Sequence, residues 1–181
     1  MKKILIYTFL LLSVLVSHAQ EINWVTLEEA IELQEKQPRK IIMDVYTTWC
    51  GPCKLLDKNT FKNKDVANYI NENYYAVKFN GEGNDTVNFK ENTFTNPQYD
   101  PTKAKRRNSA HQFTRYMRVN AYPTLVFFDE KGEFITPVKG YQSPQQLELY
   151  LKLFKSDDYK SMTNQEKFNA YHQSFKPEFK S

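Results

Sequence analysis

The junction at residues 40–53 limits the fold more than any other stretch of the chain. Ile41, Ile42, Val45 and Tyr46 make Lys40–Thr47 a short apolar run, and Cys50-Gly51-Pro52-Cys53 follows two residues later. A run of that length reads as a buried strand. Pro52 suits the first turn of a helix, where the missing N–H has no partner to lose. A strand that delivers two cysteines to the start of a helix belongs in an α/β chain, and the flanking segments agree. Thr26 and Glu29 form a capping box ahead of Leu27, Ala30, Ile31 and Leu33, which predicts a helix over 27–37 ended by Pro38. Val66, Tyr69 and Ile70 predict another at about 64–73, before a strand from Tyr74 to Phe79. Pro123 introduces a strand Thr124–Asp129, Glu130-Lys131-Gly132 turns, and Glu133–Val138 returns as a hairpin partner. Pro137 places that partner at a sheet edge. Ser143, Pro144 and Gln146 then open a helix that Leu147, Leu149, Tyr150, Leu151 and Phe154 continue.

Two segments stand apart from this pattern. Residues 81–108 carry Pro97, Pro101 and many Asn, Gly and Thr with little periodicity, as functional or disordered insertions do. Phe89, Phe94 and Tyr99 are expected to pin the insert to the domain. Its basic end, Lys103, Lys105, Arg106 and Arg107, reads either as a grip for an acidic partner or as a solvated loop. A helix over Ala110–Arg118 follows, with Phe113, Tyr116 and Met117 on one side. The tail 156–181 contains a second-rank signal: a capping box at Thr163–Glu166 ahead of Phe168, Tyr171, His172 and Phe175 predicts a short extra helix docked on the domain.

The N-terminus reads as a secretory signal over residues 1–19. Lys2 and Lys3 precede an apolar stretch Ile4–Val16, too short for a comfortable membrane span, and Ser17-His18-Ala19 offers small residues for cleavage near Ala19-Gln20. The other reading of this stretch is an uncleaved anchor. Without Lys2 and Lys3 the 25 basic residues fall to 23 against 21 acidic, so the formal charge of +4 becomes +2. That balance argues against a nucleic-acid partner. No second stretch of membrane-spanning length follows, so a periplasmic or secreted domain over 20–155 is expected. A chain of 181 residues with 15% aromatics has ample means to bury a core.

Two cysteines leave few chemistries. Half a zinc site needs two further ligands, and His111 and His172 stand 61 residues apart, unlike any compact zinc knuckle. A structural disulfide closing so short a loop removes little chain entropy. The third reading, favoured on local grounds, is a reversible dithiol–disulfide pair. Cys50 then sits at a helix N-terminus, where unpaired N–H groups and the helix dipole stabilise a thiolate. It becomes an exposed attacking sulfur. Cys53, one turn on, becomes a more buried, resolving one. Trp49 reads as a flat wall beside the sulfur or as core.

At this point the chain resembles the thioredoxin family. Trp49-Cys50-Gly51-Pro52-Cys53-Lys54 matches the family's active-site motif residue for residue, and Tyr122-Pro123-Thr124 resembles its cis-proline loop. Asp44 falls where thioredoxins keep a buried acid, Lys78 where they keep its lysine partner, and Gly140 fits the glycine after the hairpin. The resemblance covers residues 22–154 apart from the insert. It implies a thioredoxin-like fold: a central mixed β-sheet flanked by helices, here with an insert before the cis-proline helix and an extra C-terminal helix. It implies Cys50 as nucleophile, Cys53 as resolving thiol, Asp44 in proton transfer with Lys78 as its partner, and Trp49, Gly51, Pro52, Tyr122, Pro123 and Thr124 against the substrate. Asp44 has a second reading, an ion pair with Lys78 that serves structure alone. Asn59-Thr60-Phe61 with Asp65-Val66 is more similar to the thioredoxin-like C-terminal domain of transmembrane thiol:disulfide interchange proteins. The function implied is an exported thiol–disulfide oxidoreductase of the disulfide-reductase type. It needs no cofactor or metal, acts on protein or small thiol/disulfide substrates, and is supplied by a membrane electron donor. A rival keeps the fold without the chemistry: a redox-inert adaptor that binds through its insert and tail.

Overall fold

The computed structural model describes residues 21–180; the segment read as a secretory signal lies outside the described residues. Its centre is a five-stranded mixed sheet. The strands are β1 (Trp24–Val25), β2 (Lys40–Tyr46), β3 (Tyr74–Asn80), β6 (Thr124–Phe128) and β7 (Phe134–Lys139), in the order β1-β3-β2-β6-β7. β2 runs parallel to β3, with Asp44 opposite Lys78, and antiparallel to β6, with Asp44 opposite Leu125. β7 is an edge strand, which accommodates Pro137 because an edge leaves backbone groups free of the ladder.

The helices form where local signals put them. Thr26 and Glu29 close their capping box on α1 (Leu27–Lys36), and Ser143 and Gln146 close another on α5 (Pro144–Lys155). α2 (Gly51–Leu56) begins at Cys50 and widens into a π-helical stretch over Asp57–Phe61. α3 (Lys64–Asn73) is capped by Asn63. α4 (Gln112–Tyr116) is shorter than the expected 110–118, because Arg118 takes a left-handed φ of 57° that ends it. The tail helix α6 (Gln165–Ser174) is capped by Asn164, whose side chain accepts from the Lys167 N–H; the box expected at Thr163 starts one residue early, since Asn caps at least as well as Thr. β1 was not foreseen, two residues being too few to show a period.

Alternation along β2 splits the core. Ile41, Met43 and Val45 face α1, α4 and the insert, with Phe113, Met117 and Phe128. Ile42 faces the layer of α2, α3 and α5, with Leu56, Ile70 and Leu147. By the two-residue period Asp44 shares the face of Ile42 and so lies beneath α2. No helix among the described residues is long and apolar enough to cross a membrane.

The insert is ordered. It holds a small hairpin of β4 (Val87–Phe89) and β5 (Asn92–Phe94). Phe89 is buried against Phe113 and Phe128, and Phe94 packs on Phe113 and Tyr116 at 5.2 and 5.1 Å. Tyr99 lies half-buried outside this cluster. In the tail, Phe168 stacks on Tyr150. Buried Glu148 of α5 accepts the backbone N–H groups of Glu178 and Phe179 and pairs with Lys152 at 2.7 Å.

Candidate active site

Cys50 and Cys53 are joined in a disulfide at the start of α2. Cys50 is the cap of this helix, and its Sγ accepts the Cys53 N–H at 3.1 Å. The helix start therefore aims a donor at the sulfur expected to carry charge. Both cysteines are nearly fully covered, at 2% and 3% exposure, so the expected contrast between an exposed and a buried sulfur is corrected. The asymmetry lies elsewhere: Cys50, and not Cys53, lines a pocket of about 570 Å³ with Trp49, Pro52, Glu82, Arg107 and Tyr122.

Three elements cover Cys50. Trp49 is a wall of the pocket held in place from three sides. Its Nε1–H donates to Glu82 at 2.7 Å, its ring meets Tyr122 edge-on at 6.3 Å, and the Arg107 guanidinium lies 5.1 Å above it. Gly51 and Pro52 are exposed at the lip. Opposite stands the loop ending in Tyr122-Pro123, whose peptide bond is cis. Pro123 C=O accepts the N–H of Gly140, which has φ of 86°, a conformation that favours glycine. Thr124 lies behind this loop: it is fully buried in β6, and its hydroxyl donates to Ala121 C=O at 2.8 Å. Burial pushes the Tyr122 hydroxyl up to about 12, keeping it neutral. Tyr122 fits only because residue 81 is glycine; a Cβ there would lie 2.6 Å from Tyr122 Cε1.

Asp44 sits below the cysteine helix, 1% exposed, with Oδ1 lacking a hydrogen-bond partner. Burial raises its pKa from 3.8 to about 7; neighbouring Asp57 adds to the rise and Lys78 opposes it. Lys78 approaches Asp44 at 3.7 Å, but its direct partner is Asp57 in the π-helical stretch. The expected Asp44–Lys78 pair is thus a triad, with the lysine also over the rings of Trp24, Tyr46 and Phe61. His111 caps α4: Nδ1 accepts the Phe113 N–H, and Nε2 bonds Asp85 C=O at 2.8 Å. Both ring nitrogens are engaged within the fold.

A thioredoxin-like domain model matches residues 27–155 of the chain. The chain belongs to the thioredoxin-like family. It is 24% identical over 143 residues to the thiol:disulfide interchange protein DsbD of Pectobacterium atrosepticum, covering 76% of this chain and 21% of that one. It is 28% identical over 124 residues to the thiol-disulfide oxidoreductase ResA of Bacillus thuringiensis, covering 67% of each. The chain therefore spans about a fifth of the DsbD relatives and two thirds of ResA. Among solved structures it is similar to a thioredoxin-fold protein from Helicobacter pylori (TM-score 0.58, 19% identity, 86% and 88% of the two chains). A thioredoxin from Thermus thermophilus superposes with a TM-score of 0.54 at 14% identity, over 74% and 87%.

This thioredoxin-like site contains groups that pattern reading missed. Glu82, Gly81 and Asp57 escaped it. Glu82 does carry one signal: a lone acid between two glycines at the exit of β3, an odd place for a charge unless it has a partner. Asp57 stands four residues after Cys53, on the same helix face, a spacing that places it near the same neighbours.

Proposed function

We propose that the chain is an exported thiol–disulfide oxidoreductase acting as a disulfide reductase. The observation that carries this reading is the disulfide itself. One of its sulfurs receives a helix-start N–H and opens on a pocket beside a cis-proline loop, with a proton-holding carboxyl beneath the helix. In the reducing direction the Cys50 thiolate attacks one sulfur of a substrate disulfide. That bond breaks, the departing thiolate takes a proton, and a mixed disulfide to Cys50 remains. Asp44 accepts the Cys53 proton, and the Cys53 thiolate attacks Cys50 Sγ. The second substrate thiol leaves with a proton and the Cys50–Cys53 bond closes, so two electrons and two protons have passed to the substrate. A pKa near 7 suits that transfer near neutrality.

Trp49, Gly51, Pro52, Tyr122 and Pro123 form the substrate face in this reading; Thr124 and Lys78 position the loop and the acid from behind. The Gly-Pro pair between the cysteines resembles that of the family's reducing members and supports the reducing assignment, while relatives named as interchange and oxidoreductase proteins support thiol–disulfide exchange itself. The pattern of residues 1–19 supports export, which makes a membrane protein the fitting donor of the electrons that restore the dithiol. An insulin-reduction assay with a redox titration tests this. A reversible two-electron couple, turnover abolished in Cys50→Ser, and mixed disulfides trapped on Cys50 in Cys53→Ser are expected. Absence of turnover together with partner capture in the double cysteine variant would establish the adaptor instead.

A further inference from the structure

We infer that residues 103–107 of the insert select polypeptide substrates whose reactive cysteine is flanked by carboxylates, with Arg107 as the member of this cluster that lines the pocket of the exchanging sulfur. The inference rests on disulfide exchange at Cys50 and deepens it. Lys103, Lys105, Arg106 and Arg107 are all exposed. Lys103 pairs with Asp100 at 3.3 Å, while no carboxylate among the described residues lies within ion-pair distance of Lys105, Arg106 or Arg107. Arg107 lies over the face of Trp49 and lines the same pocket as Cys50. Arg107 makes no side-chain hydrogen bond among the described residues, so its forked N–H donors are free for a carboxylate.

The cations are held in place. Thr48, two residues before Cys50, donates its hydroxyl to Ala104 C=O at 2.7 Å. Asp100 and Asn108 close the loop on each other: the Asp100 N–H donates to Asn108 Oδ1 at 3.0 Å, and Asn108 Nδ2 donates to Asp100 C=O at 2.7 Å. Asn96 Nδ2 ties Gly83 C=O to Ser109 C=O, both at 2.9 Å. A binding group fixed beforehand loses less entropy on meeting its ligand. The acid of the pocket, Glu82, forms no ion pair with Arg107 or with any other cation of this rim among the described residues. It is buried, and its Oε2 receives the Trp49 Nε1–H and the Asn108 N–H at 2.7 and 2.8 Å, so it serves to hold the wall and the end of the insert together. The opposite wall, Asn120–Tyr122, is uncharged. Positive charge therefore meets an incoming chain from one side only, a geometry that steers encounter as well as register.

The test uses the reduced full chain and three synthetic disulfide peptides, identical except for Asp, Ser or Lys on both sides of the cysteine. Second-order exchange constants are read from tryptophan fluorescence. The expected order is Asp, Ser, Lys, with an Asp-to-Lys ratio of about tenfold at low salt that shrinks as salt screens the rim. Arg107→Glu, or Lys105→Glu with Arg106→Glu, should reverse the order, while Lys36→Glu on α1 should leave it. Equal constants for all three peptides, or an order untouched by either reversal, overturn this inference and leave the exchange reading standing. No exchange with any peptide overturns both.

Discussion

Replacing Asp44 with Asn should change the pH dependence of stability in a direction opposite to the usual carboxylate. The folded protein holds the Asp44 proton to about pH 7, while the unfolded chain releases it near 3.8. Between those values the folded state binds more protons, so stability falls as pH rises. At 1.36 kcal/mol for each tenfold change in proton affinity, the full loss across this window is about 4 kcal/mol. The Asn variant lacks this term. Its stability relative to the parent should therefore rise by about 4 kcal/mol from pH 4 to pH 8, whatever constant offset the amide brings. Urea denaturation of both proteins, with the disulfide closed throughout, measures the difference, and groups common to both cancel. A difference that stays flat across pH 4–8 would refute the argument that burial governs this carboxyl. The same variant should slow resolution of the mixed disulfide, because no acceptor then waits for the Cys53 proton.

Two further outcomes follow from single contacts. Gly81→Ala places a methyl 2.6 Å from the Tyr122 ring, against the loop rather than open solvent. It should cost about 1–3 kcal/mol in denaturant unfolding and lower the rate of insulin reduction together; a neutral effect on both would mean that Tyr122 moves aside freely. Glu148→Gln weakens the charge-assisted bonds to the Glu178 and Phe179 N–H groups. Hydrogen exchange at residues 178–180 should quicken at least tenfold with little change in β2, and unchanged tail protection would assign the hold to Phe179 instead.

What could be read from the sequence was local or linear. The Thr26–Glu29 and Ser143–Gln146 boxes announce their helices because both partners lie within one turn. The Cys50–Lys54 motif and the Pro123 turn announce the two halves of the site because each is a contiguous stretch. Asp44 was legible as an acid inside an apolar strand. Its true surroundings were not, since Lys78 lies 21 residues from Asp57 and no local pattern pairs them. Glu82 and Trp49 are 33 residues apart, and nothing in either neighbourhood specifies that they meet. The insert looked featureless because its strands have three residues each, too few to show alternation. Its order comes from Phe89 and Phe94 docking on the domain and from asparagines that tie its ends. The covering of Cys50 was misjudged for the same reason: the Tyr122 loop, and the Glu82 and Arg107 that hold Trp49 in place, arrive from distant parts of the chain.

The hold of Glu148 on the tail bears on how such chains diverge. The two N–H groups it accepts belong to the backbone of residues 178 and 179, and any residue other than proline supplies them. Mutation can rewrite the tail's side chains and leave these two bonds available, while a single change at Glu148 would weaken both. A tail of quite different sequence could then keep the same clasp, and the acid inside α5 is the position to follow when asking which relatives carry it.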